Sequence, residues 1–273
     1  DAYYGDTVRE FMQELMLRIS SEEDKMIPDK LLETQWYKRV DILKNIQAYN
    51  LYMTTDFTTT GSKGSDLSGI AVWAVNHNQD CFMLDLCLRK QEMEQQYNEV
   101  FRFIDLYTPE NKTFEVGVET DGQQKAHILA LKDRMRQRSN YFTIARQKGS
   151  EPGSEGIQSR LEGGSKHWRM RMALPLFQNR KIFFPEELRG LPEMNELMEE
   201  IRYTTYTKFN SKWDDGMDLI SQLNIMEIIY PAKNMSYVST SYNNTQKVKS
   251  DPFWGRIGQR HDSDENTSAY DSY

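Results

Sequence analysis

Cysteine is scarce in this chain: Cys81 and Cys87 are the only two in 273 residues. Two thiols cannot make a tetrathiolate zinc site, and histidines scattered at 77, 127, 167 and 261 add no ligand spacing. The two cysteines sit in one apolar run with even spacing, which predicts one face of a strand and reduced core thiols, as suits a cytosol. Long apolar runs are lacking too. Stretches such as Ile225–Tyr230 are short and interrupted, far from the ~18–20 residues of a membrane span. No signal peptide is expected within the first residues given, because Asp1–Glu10 is acidic and polar. No G-x-x-x-x-G-K-[ST] phosphate loop occurs; Gly61-Ser62-Lys63-Gly64 lacks its spacing. The first residue is Asp, and the chain is therefore expected to be a piece of a longer polypeptide.

What is present reads as globular: 38% hydrophobic, 12% aromatic and 27% charged residues. The net charge of −7 argues against nucleic acid only if it is evenly spread. It is not. Lys132 to Lys181 holds 12 Lys+Arg and 4 Asp+Glu, so this stretch is +8 and the rest is −15. Phosphate binding follows local clusters of cations rather than whole-chain charge, although a solvated charged surface gives the same count.

Three regions are expected. Residues 1–47 form a helical lead-in: Val8, Phe11, Leu15 and Ile19 recur at helical spacing, as do Trp36, Val40, Leu43 and Ile46. Residues 48–235 form the main domain. Tyr49–Phe57, Gly69–Asn76 and Cys81–Arg89 predict three consecutive antiparallel strands joined by short turns. Helix Gln91–Leu106, strand Thr113–Glu119, helix Ala126–Arg138 and strand Tyr141–Arg146 follow. Residues 147–166 are Gly/Ser/Glu-rich and read as a mobile loop. Trp168–Phe177 and Lys181–Pro185 flank the Gln178-Asn179-Arg180 turn and predict a β-hairpin. Helices are expected over Leu191–Asn210 and Gly216–Tyr230. Residues 236–273 form a C-terminal extension, partly disordered by composition. Three strands, helix, strand, helix, strand, then helices is the element order of an RNase H-like α/β fold, a mixed central sheet flanked by helices, here with a hairpin insertion and N-terminal helices; many other α/β domains share parts of this order.

Certain acids end elements where an acid is unexpected. Asp56 closes the apolar run Tyr49–Thr55, though Asp is depleted in strands; an ordinary turn residue is the alternative. Glu119 closes Phe114-Glu115-Val116-Gly117-Val118, and could equally be an acid at a helix entrance. Asp214 and Asp215 precede an apolar helix, where one Asp would suffice for capping. Asp218 lies one turn on, on the same helix face as Asp215. Their mutual repulsion would be relieved by a cation. Asp and Glu are the hard oxygen ligands that hold Mg²⁺ or Mn²⁺.

Taken together, these residues resemble the nuclease domain of phage large terminases. The likeness spans about Tyr49 to Ile229. It comprises Met53-Thr54-Thr55-Asp56-Phe57, the Gly61–Gly64 loop, Asp66 and Ser68-Gly69-Ile70-Ala71-Val72. Next come Val116-Gly117-Val118-Glu119, then the basic segment from Lys166-His167-Trp168-Arg169-Met170 through Leu174–Pro185. Last is Trp213-Asp214-Asp215-Gly216-Met217-Asp218-Leu219. The family often has His before the paired Asp; here Trp213 stands, and no role of that His carries over.

The resemblance implies a metal-dependent endonuclease cutting concatemeric viral double-stranded DNA in the host cell cytoplasm. It implies two ions, Mg²⁺ or Mn²⁺, with Asp56 bridging both, Glu119 ligating one, and Asp215, helped by Asp214, the other. Asp56, Glu119 and Asp215 are thus the expected catalytic residues, with Asp66 and Asp85 in reserve. Arg146, Lys148, Arg160, Lys166, Arg169 and Arg171 would hold the DNA backbone without reading sequence. The full-length partners implied are an ATPase domain in the same polypeptide, a portal and a small terminase subunit, with no membrane. Other RNase H-like nucleases, such as resolvases or hybrid nucleases, and a non-catalytic DNA-binding assembly module are the alternatives.

Overall fold

The computed structural model describes residues 25–58, 67–109, 112–120, 125–158, 166–206 and 211–233, without the side chains of 166–169. The expected first helix, around Val8–Ile19, lies outside these residues. So does the extension after residue 233, which includes all of the second compact unit, Tyr237–Tyr273.

The chain enters through the short helix α1 (Asp29–Leu32), the two-residue strand β1 (Trp36–Tyr37) and helix α2 (Arg39–Leu43). The spacing that predicts a longer helix here is interrupted by β1, which pairs in parallel with a later strand. The β-branched and aromatic stretches then become β2 (Asn50–Asp56), β3 (Ser68–Val75) and β4 (Cys81–Arg89), an antiparallel meander. All eight residues of β3 are buried, as a strand covered on both faces requires. Helix α3 (Met93–Tyr107), strand β5 (Phe114–Gly117), helix α4 (Lys125–Arg138) and strand β6 (Thr143–Ile144) follow. Helix α5 (Lys166–Gln178), strand β7 (Ile182–Pro185), helix α6 (Pro192–Tyr203) and helix α7 (Asp215–Ile225) complete the domain.

The strand order is β1-β7-β4-β3-β2-β5-β6. β5 lies parallel to β2, and β6 parallel to β5. A three-stranded meander extended beside its first strand by two parallel strands is the RNase H-like arrangement that the element order predicts. Two cores fill the faces. One joins Tyr52, Ala71, Trp73 and Met83 to Met170 and Phe177 of α5, Leu197 of α6 and Leu219 and Leu223 of α7. The other joins Met53, Ile70, Val72 and Leu84 to Val100, Phe101 and Ile104 of α3 and Leu131 of α4.

Two further expectations are overturned. The β-hairpin is absent, because Lys166–Gln178 is helical. Its buried residues Met170, Ala173 and Phe177 recur at helical intervals, and this periodicity outweighs the β-like composition of the segment. Even Pro175 sits inside the helix. The two cysteines do not share a face either. Cys81 belongs to the α7-side core and Cys87 to the α3-side core. The register slips between Val72 and Trp73, whose partners are Asp85 and Met83. A bulge of this kind reverses the alternation of every later residue. Both thiols are free and buried, as expected.

The Gly/Ser-rich segment is partly tied down. Arg146 bridges Gly156, Gln147 bridges Met226, and Glu119 bridges Ile157. Residues 159–165 lie outside the described residues.

Candidate active site

β2 and β5 run parallel with Thr54 opposite Gly117. Asp56 and Glu119 each lie two residues further on, at the same end of neighbouring strands. Strand alternation sends both to one face. Tyr52 lies in the α7-side core and Met53 in the opposite one, so Asp56 follows Tyr52 and Thr54 toward α7. Val116 and Val118 lie in the α3-side core, and Glu119 therefore faces α7 as well. Asp56 is half-buried, and Glu119 is 7% exposed. Backbone bonds on either side of Glu119 fix its position: Ile157 donates to the Val118 carbonyl at 2.9 Å and Thr120 donates to the Ile157 carbonyl at 2.8 Å.

Helix α7 brings the remaining acids to this end of the sheet. Gln222, fully buried, accepts the Thr55 N–H at 3.1 Å and donates to the Thr55 carbonyl at 2.9 Å. The same amide nitrogen lies 3.4 Å from Glu119 Oε1. One side chain thus ties α7 to the residue before Asp56 and to Glu119. Asp215, Asp218 and Gln222 fall on one helix face at 3.6 residues per turn. Asp215 is 4% exposed and Asp218 6%. Asp215 Oδ2 accepts the Leu67 N–H at 3.0 Å, just before the residues of β3 that pair with the end of β2. Close approach needs small residues here. A Cβ on Gly69 would lie 2.9 Å from Leu219, and one on Gly117 would lie 2.6 Å from Met226 Sδ.

Sequence reasoning missed the residue that caps α7. Asp214 occupies the N-cap position but makes no side-chain capping bond. Glu200 of α6 supplies it instead, accepting the Met217 N–H at 2.9 Å. Glu200 is fully buried, and its Oε1 has no hydrogen-bond partner. Burial pushes its carboxyl up to about 8, helped by the negative charge of Asp215, Glu196 and Asp214 and opposed by the Met217 N–H. At neutral pH it is mostly the uncharged acid. Gly216 makes room for it, since a Cβ there would stand 2.9 Å from Glu200 Oε2. No pattern near residue 200 in the sequence points to this pairing; it arises from the crossing of two helices.

Asp56, Glu119, Asp215 and Asp218 therefore come to one end of the sheet. Among the described residues, no three His, Cys, Asp or Glu side chains are gathered so as to hold a metal ion as they stand. The donor set itself suits a hard cation, since it offers only carboxylate oxygens. Of the softer donors, His127 Nδ1 bonds the Tyr97 hydroxyl at 2.7 Å, both cysteines are in the cores, and His77 is exposed in the turn after β3.

The other expected residues are placed as follows. Asp85 accepts from the Tyr107 hydroxyl at 2.7 Å and lies 3.6 Å from Arg39, as a structural ion pair. It sits three register positions along β3 from the partner of Asp56. Arg146 is paired with Glu227. Arg171 is exposed and donates to the Tyr206 carbonyl at 2.6 Å. Lys148 is exposed, and its N–H donates to Ile225 at the far end of α7. Asp66 and Arg160, and the side chains of Lys166 and Arg169, lie outside the described residues. No helix among the described residues is long and apolar enough to cross a membrane.

No protein-family model and no curated protein matches the chain. Solved structures do. The fold is similar to the human cytomegalovirus terminase nuclease domain, manganese-soaked and inhibitor-bound, with 14% identity and a TM-score of 0.49 over 75% of this chain and 100% of that one. It is also similar to a mutant nuclease domain of the large terminase subunit of bacterial virus Sf6 with manganese and beta-thujaplicinol. There the identity is 12% and the TM-score 0.42, over 75% of this chain and 100% of that one. The likeness is one of architecture, at identities too low to carry residue roles across.

Proposed function

We propose that this chain is a divalent-metal-dependent endonuclease for double-stranded DNA, the nuclease part of a large terminase that cuts concatemeric viral DNA during packaging in the host cytoplasm. The observation that carries this reading is the Gln222 tie. It holds the end of β2, closed by Asp56, and Glu119, two residues past the end of the parallel β5, against the helix that bears Asp215 and Asp218. Acids on three separate elements and one face are more than helix capping or turn chemistry requires, especially as Glu200 does the capping.

Mg²⁺ or Mn²⁺, as two ions when bound, would supply the activated water and neutralise the departing oxygen of a phosphodiester. Asp56 would hold both ions, Glu119 one, and Asp215 the other; Asp218, on the same face as Asp215, joins the set. Asp214, half-exposed at the N-cap, would assist. Gln222 keeps Glu119 and the end of β2 in register. Lys148 would contact the phosphate backbone beside β6 without reading sequence. The ATPase, portal and small-subunit partners belong to the same proposal, as parts of the longer assembly.

The deciding experiment is digestion of supercoiled plasmid with Mn²⁺, with Mg²⁺ and with excess chelator. Nicking and linearisation are expected with metal only, and Asp56→Ala is expected to abolish them while DNA binding survives. Cutting in chelator, or full activity of Asp56→Ala, would overturn the assignment. Cleavage confined to junctions or to RNA strands of hybrids would point to a different RNase H-like nuclease.

A further inference from the structure

Trp213 stands immediately before the paired aspartates and is half-buried. Two ammonium groups from different parts of the chain sit over its ring, Lys90 Nζ at 5.1 Å from the centroid and Lys212 Nζ at 4.9 Å. Both lysines are exposed. Lys212 feels the charge of Glu196 at longer range than an ion pair, whereas Arg89, one residue before Lys90, is engaged directly by Glu99 and Glu193.

The topology puts this group beside the acids. Arg89 pairs with Ser68 across β3 and β4, and the next residue of β3, Gly69, pairs with Asp56. Lys90 therefore leaves the sheet at the end where β2 stops at Asp56. Trp213 is two residues from Asp215, whose carboxylate holds the Leu67 N–H at the start of β3. The indole and its two lysines border the acid group on the β4 side, while Lys148 lies on the β6 side.

A cluster of carboxylates repels a phosphodiester, so a duplex lying across it needs cations at its flanks. Lysine serves here as a point charge rather than a bidentate fork, and a contact of that kind holds backbone without reading bases. The ring restrains two otherwise mobile side chains. We infer that Lys90 and Lys212, held on the Trp213 ring, form a phosphate-backbone contact that seats double-stranded DNA on the β4 side of the acid cluster. This rests on the nuclease reading above.

The test uses the full chain carrying Asp56→Ala, so that DNA is bound and not cut, with a fluorescent 30-base-pair duplex titrated across a KCl series. Adding Lys90→Gln with Lys212→Gln is expected to lower the slope of log affinity against log salt by about 1.8, at roughly 0.9 per lost phosphate contact. Affinity near 0.1 M salt should fall by some tens-fold. Lys90→Arg with Lys212→Arg should keep the slope. Lys30→Gln with Lys233→Gln, which removes the same charge elsewhere, should lower it by less than half as much. An unchanged slope in the Lys90/Lys212 variant, or a loss matched by the Lys30/Lys233 control, would overturn the inference and leave the nuclease reading standing. No duplex binding at any salt by the Asp56→Ala protein would sink both.

Discussion

The Gln222 amide brackets the backbone of Thr55, accepting its N–H at 3.1 Å and donating to its carbonyl at 2.9 Å. Both partners are buried, so nothing else is there to satisfy the Thr55 groups once the amide is removed. Gln222→Leu should therefore destabilise the domain by about 2–4 kcal/mol, the cost of leaving two buried polar groups unpaired. Urea unfolding at neutral pH measures this. A change below about 0.5 kcal/mol, the level of an ordinary surface substitution, would show that the bracket is not structural.

Glu200 makes stability depend on pH. Its folded value of about 8 exceeds the ordinary carboxyl value of 4.5, so the folded state holds a proton that the unfolded chain has released. Its contribution is complete below the unfolded value and is lost as pH rises through about 8. The slope is at most about 1.4 kcal/mol per pH unit. Asp215, Asp214 and Glu196 are the charges that face it. Glu200→Gln should remove this slope: relative to the unmodified protein, the variant gains stability between pH 5 and pH 8. Parallel stability profiles for the two proteins over that range would contradict the assignment.

Gly156 has a φ of +82°, and a Cβ there would lie 2.2 Å from Thr120 Cγ2 and 3.0 Å from the Val118 carbonyl. Backbone strain and overpacking together should cost Gly156→Ala about 2–4 kcal/mol. The neighbouring Ile157 makes the backbone bonds on either side of Glu119. Metal-dependent cleavage should therefore fall further than the unfolded fraction explains. Wild-type activity per folded molecule would separate Glu119 from that support.

The three aspartates at the start of α7, Asp214 at its N-cap and Asp215 and Asp218 within it, should differ in effect. Asp215 and Asp218 are buried on the face that carries Gln222, and Asp214 is half-exposed. Asp215→Asn and Asp218→Asn should each lower plasmid cleavage at least 100-fold, on the order of 3 kcal/mol of barrier, whereas Asp214→Asn should stay within about ten-fold. Isothermal titration with Mn²⁺ should weaken in the first two variants. The reverse order would exchange the roles of Asp214 and Asp215.

The meander and the acids that close β2 and follow β5 were legible because alternation, turn residues and misplaced charges are local signals. Other features were not. Trp168–Phe177 has strand-like composition, and only burial at Met170, Ala173 and Phe177 shows it to be helix. The slip opposite Val72 carries no mark in the sequence, yet it sends Cys87 to the face opposite Cys81.

By itself the sequence determined the three strands of the meander and where the acids stand along the chain. Only the tertiary structure decided which of these groups meet. Glu200 caps Met217, Gln222 ties Thr55 to Glu119, and Lys90 reaches Trp213 because sheet order and helix crossing bring together residues 17, 103 and 123 positions apart. Side-chain identity fixes what a group can do, whereas packing fixes which other group is close enough for it to act on.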